Sequence, residues 1–521
     1  MKHCKLFLTL ILLSFYGCMP KPETGDKLGL HTYHDPSFGW TASLPLDWLM
    51  GEVPGGQFVR DIPSKDPTRL IIWTYKDRSI QDILKELETS GGVVNQTESG
   101  QRATPALDWS RYHGDARSDS NLAVEFALAT NDGNTHLALL VAKQPEVNTL
   151  VESVLLPAVD SFVPGPADPP VSVLAVTPAK LDYWPTQGWR TASPESQGLD
   201  PEKLKSMLGR IHREAIPLDS LTIVRHGYIV LDESFPPFGK NELHELHSAT
   251  KSVTSALVGI ALHDSQLAGN QGVSVNTPAL EVFASRRAAY TDSRKRAMTL
   301  EHLLTMTAGL DWMEWGAAYE PGTGNDLVQM IETAPDWTQY ILDRPMVADP
   351  GTTFLYNSGS SYLLSAVVTE LSGKSAAKFA DERLFAPLGI QDYEWPAGPE
   401  GVTMGWGNLR VHPKDLARIG LLYLQRGNWD GKQIVPADWV EASTTDHVPD
   451  PFYEYGYQWW LDLVDGYAFM AGRFGQVAIV APKQDMVIVF TSHLPDTVSD
   501  VGVTRWLAEK FILSSVESDT E

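Results

Sequence analysis

Apolar and polar positions alternate with different periods along this chain, and the changes of period mark its elements. Short apolar runs at Arg69 to Trp73 and Thr135 to Val141 predict strands, while Ile83, Leu84 and Leu87 share one side of a helix over 80–87. Further on, Pro201 to His212 has helical spacing. Leu221 to Val224 and Tyr228 to Leu231 then flank a His226-Gly227 turn and read as a hairpin. The unbroken apolar run Val253 to Leu262 predicts a helix buried on all sides, and Leu300 to Met306 and Tyr362 to Val368 are helical as well. Strands return at Val477 to Val480 and Met486 to Phe490, followed by helical spacing over Val501 to Leu513. Strands at both ends with helices between imply one sheet built from terminal segments and an inserted helical lobe. A cleft between two such lobes is the natural place for a ligand.

A length of 521 residues predicts two or three domains, and 43% hydrophobic residues with 16 Trp are enough for sizeable cores. Pro157, Pro164, Pro166, Pro169, Pro170 and Pro178 mark a linker, placed at 164–183. It separates a smaller α/β domain at 31–163 from a larger one at 184–513, with a tail at 514–521. In the smaller domain Asp108, His113 and Asp115 lie close together and read as surface polar residues. Its opening weakly resembles the PsbP-like modules of exported proteins. A net charge of −24 argues against nucleic-acid binding. At the start, Lys2 and Lys5 precede the apolar stretch Leu6 to Phe15, too short for a mature span. Phe15-Tyr16-Gly17-Cys18 resembles a lipoprotein cleavage site, with 1–18 as signal peptide, Cys18 as lipid anchor and 19–30 as tether. Cys4 and Cys18 are the only cysteines, which suits an exported protein without disulfides. Met19 after the cysteine points to an outer-membrane lipoprotein facing the periplasm of a Gram-negative-type bacterium. The tether would bring it to the membrane, and the smaller domain is a candidate site for an envelope partner.

Candidate chemistry begins at Ser248-Ala249-Thr250-Lys251, directly before the apolar run. Positions i and i+3 share a helical face, so the serine Oγ and lysine Nζ can meet within a turn. The helix N-terminus beside them favours an alkoxide and disfavours an ammonium. The same spacing recurs at Ser375-Ala376-Ala377-Lys378, in a polar stretch that reads as a helix start, so the tetrapeptide alone is weak. Tyr356, at the end of the turn Pro350 to Leu355 and just ahead of a helix, is the candidate second proton-transfer group. A Gly-x-Ser-x-Gly elbow is missing from the sequence. His244-Glu245-Leu246-His247 lacks the zinc spacing, and no metal or cofactor is expected.

Taken in order, Ser248-x-x-Lys251, Thr299 to Leu310, the Pro-Gly-Thr turn into Tyr356, Asp415 to Gly420 and Trp429 to Val435 resemble the serine β-lactamase-related family. That family includes class C β-lactamases, D-alanyl-D-alanine peptidases, esterases and 6-aminohexanoate-dimer hydrolase. The resemblance covers roughly 190–513. It implies an α/β (α+β) fold, a mixed sheet sandwiched by helices with a helical lobe. It also implies an acyl-enzyme on Ser248 with Lys251 as base, and an oxyanion hole from the backbone N–H groups of Ser248 and Gln476. Asn357, Ser358, Arg473 and Gly475 would bind substrate, Arg473 by pairing with a carboxylate. Two departures matter: Tyr356-Asn357-Ser358 stands where Tyr-x-Asn is usual, and Arg473-Phe474-Gly475 stands where β-lactamases have Lys-Thr-Gly. Both point to the 6-aminohexanoate-dimer hydrolase and esterase branch, acting on a small amide or ester, rather than to β-lactam hydrolysis. The alternatives are a peptidase or β-lactamase acting on peptidoglycan or β-lactams, and a non-catalytic envelope scaffold.

Overall fold

The computed structural model describes residues 29–516, apart from 36–37, 46–47, 51–56, 61–65, 90–91, 167–169, 240–241, 270–271, 287–288, 316, 449–452 and 496–499. Cys18, the expected leader and nearly all of the expected tether lie outside the described residues. Two compact units divide at Pro169 and Pro170. Among the described residues no helix is long and apolar enough to cross a membrane.

In the first unit seven antiparallel strands form one sheet, in which Arg69–Lys76, Asn134–Lys143 and Leu122–Asn131 are neighbours. These strands are buried along almost their whole length, which explains their continuous apolar runs. The helix Ile80–Thr89 buries Ile83 and Leu87, as its spacing predicts. Rings of Trp40, Trp109 and His136 pack around Phe162 in the core. His113 pairs with Glu125 at 2.6 Å and Asn95 donates to Asp115 at 2.9 Å, so the polar residues of this sheet serve one another.

The second unit is built on a six-stranded antiparallel sheet. Its order is Tyr228–Ser234, Leu218–Arg225, Met486–Ser492, Gln476–Ala481, Tyr467–Gly472 and Trp460–Asp462. The first and last parts of the unit thus share one sheet, as the distribution of strand patterns implies. Strand alternation sends Val487 and Val489 into the core beside the helix Pro413–Leu424. Between the strands run the helices Thr250–Leu267, Leu300–Leu304, Asp326–Thr333, Trp337–Asp343 and Ser358–Ser372. Thr250–Leu267 is buried from Thr250 to Leu262, which accounts for its lack of a polar face. Gly259 is needed on this helix, because a Cβ there would lie 2.4 Å from the Trp439 ring.

The expected linker differs from the structure. Ser172 bonds Thr444 at 2.8 Å, and Leu174 is buried in the core of the second unit. Packing therefore claims Ser172 and Leu174 within the segment that proline content marked as a spacer, while most of its described residues stay exposed. Proline fixes backbone angles without excluding burial. At the other end Val516 pairs with Leu199, carrying the second unit past the expected limit of 513.

Candidate active site

Three segments converge at the start of the helix Thr250–Leu267. Ser248 lies in a single turn, His247–Ala249, that leads into it. The turn is half-buried at Ser248 and fully buried from Ala249 onward. Nζ of Lys251 stands 3.0 Å from Ser248 Oγ, 3.0 Å from Ser358 Oγ and 3.0 Å from the Trp406 carbonyl oxygen. Burial lowers the Lys251 ammonium to about 8, while the charge of Glu314 works in the opposite direction. A lysine so placed loses its proton around pH 8, well below the ordinary lysine range, and is thereby able to accept one.

Tyr356 reaches the same point from the second segment. The turn before it is tied to the helical block upstream: Gly351 N–H donates to Thr307 C=O at 2.8 Å, and Leu355 N–H to Met306 C=O at 2.8 Å. Gly351 takes φ of 82°, which suits glycine. The Tyr356 phenol hydrogen-bonds Ser248, and its ring centroid lies 4.8 Å from Lys251 Nζ. Burial and the nearby Glu314 charge raise the phenol above its ordinary range, so it keeps its proton. Of the two titratable neighbours of Ser248, the lysine is thus the one poised to give up its proton early and the tyrosine the one that holds its own. Trp315 stacks on Tyr356 at 4.7 Å and 9°, and Trp460 continues the aromatic wall 5.9 Å from Trp315.

The third segment is the end of the strand Tyr467–Gly472 and the turn after it. A Cβ on Gly472 would lie 2.2 Å from the Leu246 carbonyl oxygen and 3.1 Å from the Ala249 nitrogen. Only glycine lets this strand press against the turn that carries Ser248. Gly472 pairs with Gln476 in the register of the sheet. The chain between them passes through Phe474 at φ 63° and Gly475 at φ 82°, and His247 at φ 46° precedes Ser248. Left-handed conformations at His247 and Phe474, with their rings in edge contact at 5.1 Å, concentrate backbone strain at this junction. The Gln476 side chain is buried and bonded to Ser492 on the neighbouring strand.

The residues expected to bind substrate have separate positions. The Asn357 side chain caps the helix Ser358–Ser372, accepting from Ser360 N–H at 3.1 Å. Ser358 is buried and lies between Lys251 and Glu314 rather than at an open surface. Arg473 is half-buried, its guanidinium stacked 4.4 Å from the Tyr319 ring and 4.6 Å from Phe474.

Glu314 was not legible as a site residue, yet the structure puts it at the centre. It is 2% exposed, and its carboxylate accepts from Ser358 Oγ at 2.6 Å, Ser358 N–H at 2.9 Å, Trp312 Nε1 at 2.8 Å and Tyr319 OH at 3.1 Å. The only sequence signal is a lone carboxylate between two tryptophans, four residues past Leu310. Among the described residues the single group of metal-compatible side chains is Asp462, Asp465 and Glu509, which Arg505 joins by ion pairs to Asp462 and Glu509. His244 and His247 are not part of it.

A serine, a desolvated lysine and a protonated tyrosine closing on one another define a serine hydrolase site. The Beta-lactamase family matches over residues 205–510, more than half of the chain and wholly within the second unit, and the chain belongs to that family. It is 24% identical over 301 residues to the 6-aminohexanoate-dimer hydrolase of Paenarthrobacter ureafaciens, covering 53% of this chain and 73% of that protein. Lovastatin esterase of Penicillium rubens is 26% identical over 189 residues, 34% of this chain and 45% of the esterase. A Bacillus anthracis structure, provisionally described as a 6-aminohexanoate-dimer hydrolase, shares the fold. It has a TM-score of 0.50 at 20% identity, over 67% of this chain and 92% of that one.

Proposed function

We propose that the protein cleaves a small amide or ester through an acyl-enzyme on Ser248, in the manner of the 6-aminohexanoate-dimer hydrolase and esterase branch. The observation that carries this reading is the contact of Ser248 with both Lys251, at 3.0 Å, and Tyr356. In acylation the Ser248 hydroxyl proton passes to Lys251 Nζ as Oγ bonds the substrate carbonyl carbon. The resulting oxyanion is received by the backbone N–H groups of Ser248 and Gln476, an arrangement in which one donor is typically worth about 3 kcal/mol of barrier. Tyr356 donates its proton to the departing amine or alcohol and recovers one from Lys251. Water then releases the acyl group by the reverse sequence. Arg473, stacked between Tyr319 and Phe474, is a preorganised partner for a substrate carboxylate. Cys18 would carry a lipid that holds the enzyme at the outer membrane, leaving the first unit to meet an envelope partner.

Hydrolysis of p-nitrophenyl esters tests the chemistry. The wild-type chain should turn over and Ser248→Ala should not; equal rates in both would remove the acyl-enzyme reading. Intact mass after penicillin treatment separates the branches, because a stable adduct on Ser248 would favour a peptidoglycan peptidase. For the anchor, Cys18→Ala in a Gram-negative host should leave the membrane fraction, and retention there would contradict lipidation.

A further inference from the structure

Glu314 lies in neither the tetrapeptide nor the tyrosine turn, yet four donors converge on it. As a carboxylate it offers acceptors only. Two of its partners, Ser358 N–H and Trp312 Nε1–H, can only donate, and both reach Oε2, at 2.9 and 2.8 Å. The other oxygen, Oε1, lies 2.6 Å from Ser358 Oγ and 3.1 Å from Tyr319 OH, so both hydroxyl protons point at it. Ser358 has one hydroxyl proton. With that proton committed to Glu314, Ser358 Oγ can meet Lys251 only as an acceptor. The Trp406 carbonyl, also 3.0 Å from Nζ, can likewise only accept. A neutral lysine has two N–H bonds and one lone pair in tetrahedral array. If Ser358 and Trp406 take the two N–H bonds, the lone pair is left for the third neighbour, Ser248 Oγ.

We propose that Glu314 is a positioning residue. By claiming the Ser358 hydroxyl proton it fixes the direction of the Lys251–Ser358 hydrogen bond and turns the lysine lone pair onto the Ser248 hydroxyl. When Ser248 gives up its proton, Lys251 becomes an ammonium whose three N–H bonds face Ser248 Oγ, Ser358 Oγ and Trp406 C=O. Nothing in the array has to rotate. The inference rests on the reading of Lys251 as the base.

Replacing Glu314 by glutamine keeps its size and changes the direction of one link. The obligatory donors Ser358 N–H and Trp312 Nε1–H select the glutamine carbonyl, so its NH2 faces Ser358 Oγ and Tyr319. Ser358 then accepts from the amide, and its freed proton caps the Lys251 lone pair. The titratable groups facing Lys251 are Glu314, through Ser358, and Tyr356; Tyr319 and Arg473 stand beyond Glu314, and Tyr455 beyond Tyr356. Loss of the Glu314 charge removes what favours the ammonium.

The test is ester hydrolysis by the full chain against pH for wild type, Glu314→Gln, Ser358→Ala and the double variant. Glu314→Gln should lower the plateau of kcat/KM about 100-fold and move the acid limb to lower pH. The double variant should be no slower than Ser358→Ala alone, because Glu314 acts through that hydroxyl. Additive losses with an unmoved limb would mark a merely structural carboxylate and overturn the proposal. So would a Ser358→Ala plateau within about threefold of wild type, an outcome that decides the matter even if Glu314→Gln does not fold. A wild-type rate that survives Ser248→Ala would instead defeat the acyl-enzyme reading on which the inference stands.

Discussion

Two places in this chain carry a serine three residues ahead of a lysine, and the fold gives them opposite fates. At Ser375 the hydroxyl accepts from Lys378 N–H at 3.3 Å and caps the helix Ala376–Ala380. Lys378 is exposed and paired with Asp381 at 2.9 Å, which raises its pKa. At Ser248 no side chain caps the helix that follows, and the hydroxyl faces Lys251 instead. Lys251 is 2% exposed, and burial pushes it down to about 8. Spacing puts a lysine near a serine in both cases. Burial decides whether that lysine stays a solvated cation or gives up its proton more readily.

Exchanging the two sites by mutation should break the comparison most severely at the nucleophile. Ser248→Ala should lower kcat by roughly 10⁴-fold or more, whereas Ser375→Ala should leave kcat unchanged. Next come the lysines: Lys251→Met should cost roughly 10³-fold in the rate of Ser248 acylation, read by stopped-flow or burst kinetics. Lys378→Met should leave both rate and melting temperature close to wild type. Tyr356→Phe removes the proton donor to the leaving group and should lower kcat about 100-fold. That loss should be larger for amides than for activated esters, whose leaving groups need no proton; equal losses would point to a packing role for the ring. The smallest effect belongs to the second site, where losing the Ser375 cap should lower stability by about 1 kcal/mol in urea titrations.

The sequence predicts strand and helix patterns well where the period is long, as in the helices Pro201–Glu214 and Thr250–Leu267 and the terminal strands of the six-stranded sheet. Ser248, Lys251 and Tyr356 were legible because local spacing or a turn places each of them. Glu314 was not, since its main partner Ser358 is 44 positions away and only the tertiary fold joins them. Asn357 and Ser358 illustrate the same limit, for a side chain named by its motif can be engaged in capping or buried hydrogen bonding. Gly472 is legible only after folding, when its missing Cβ makes room for the Leu246 carbonyl.

The central claim is that burial makes Lys251 the base for Ser248, and the rate of fluorophosphonate labelling against pH tests it most directly. A single adduct should form on Ser248, with none on Ser375. Its rate should rise with pH through a midpoint near 8, as Lys251 loses its proton. A flat profile, a midpoint near the ordinary lysine value, or labelling that persists in Ser248→Ala would contradict the account.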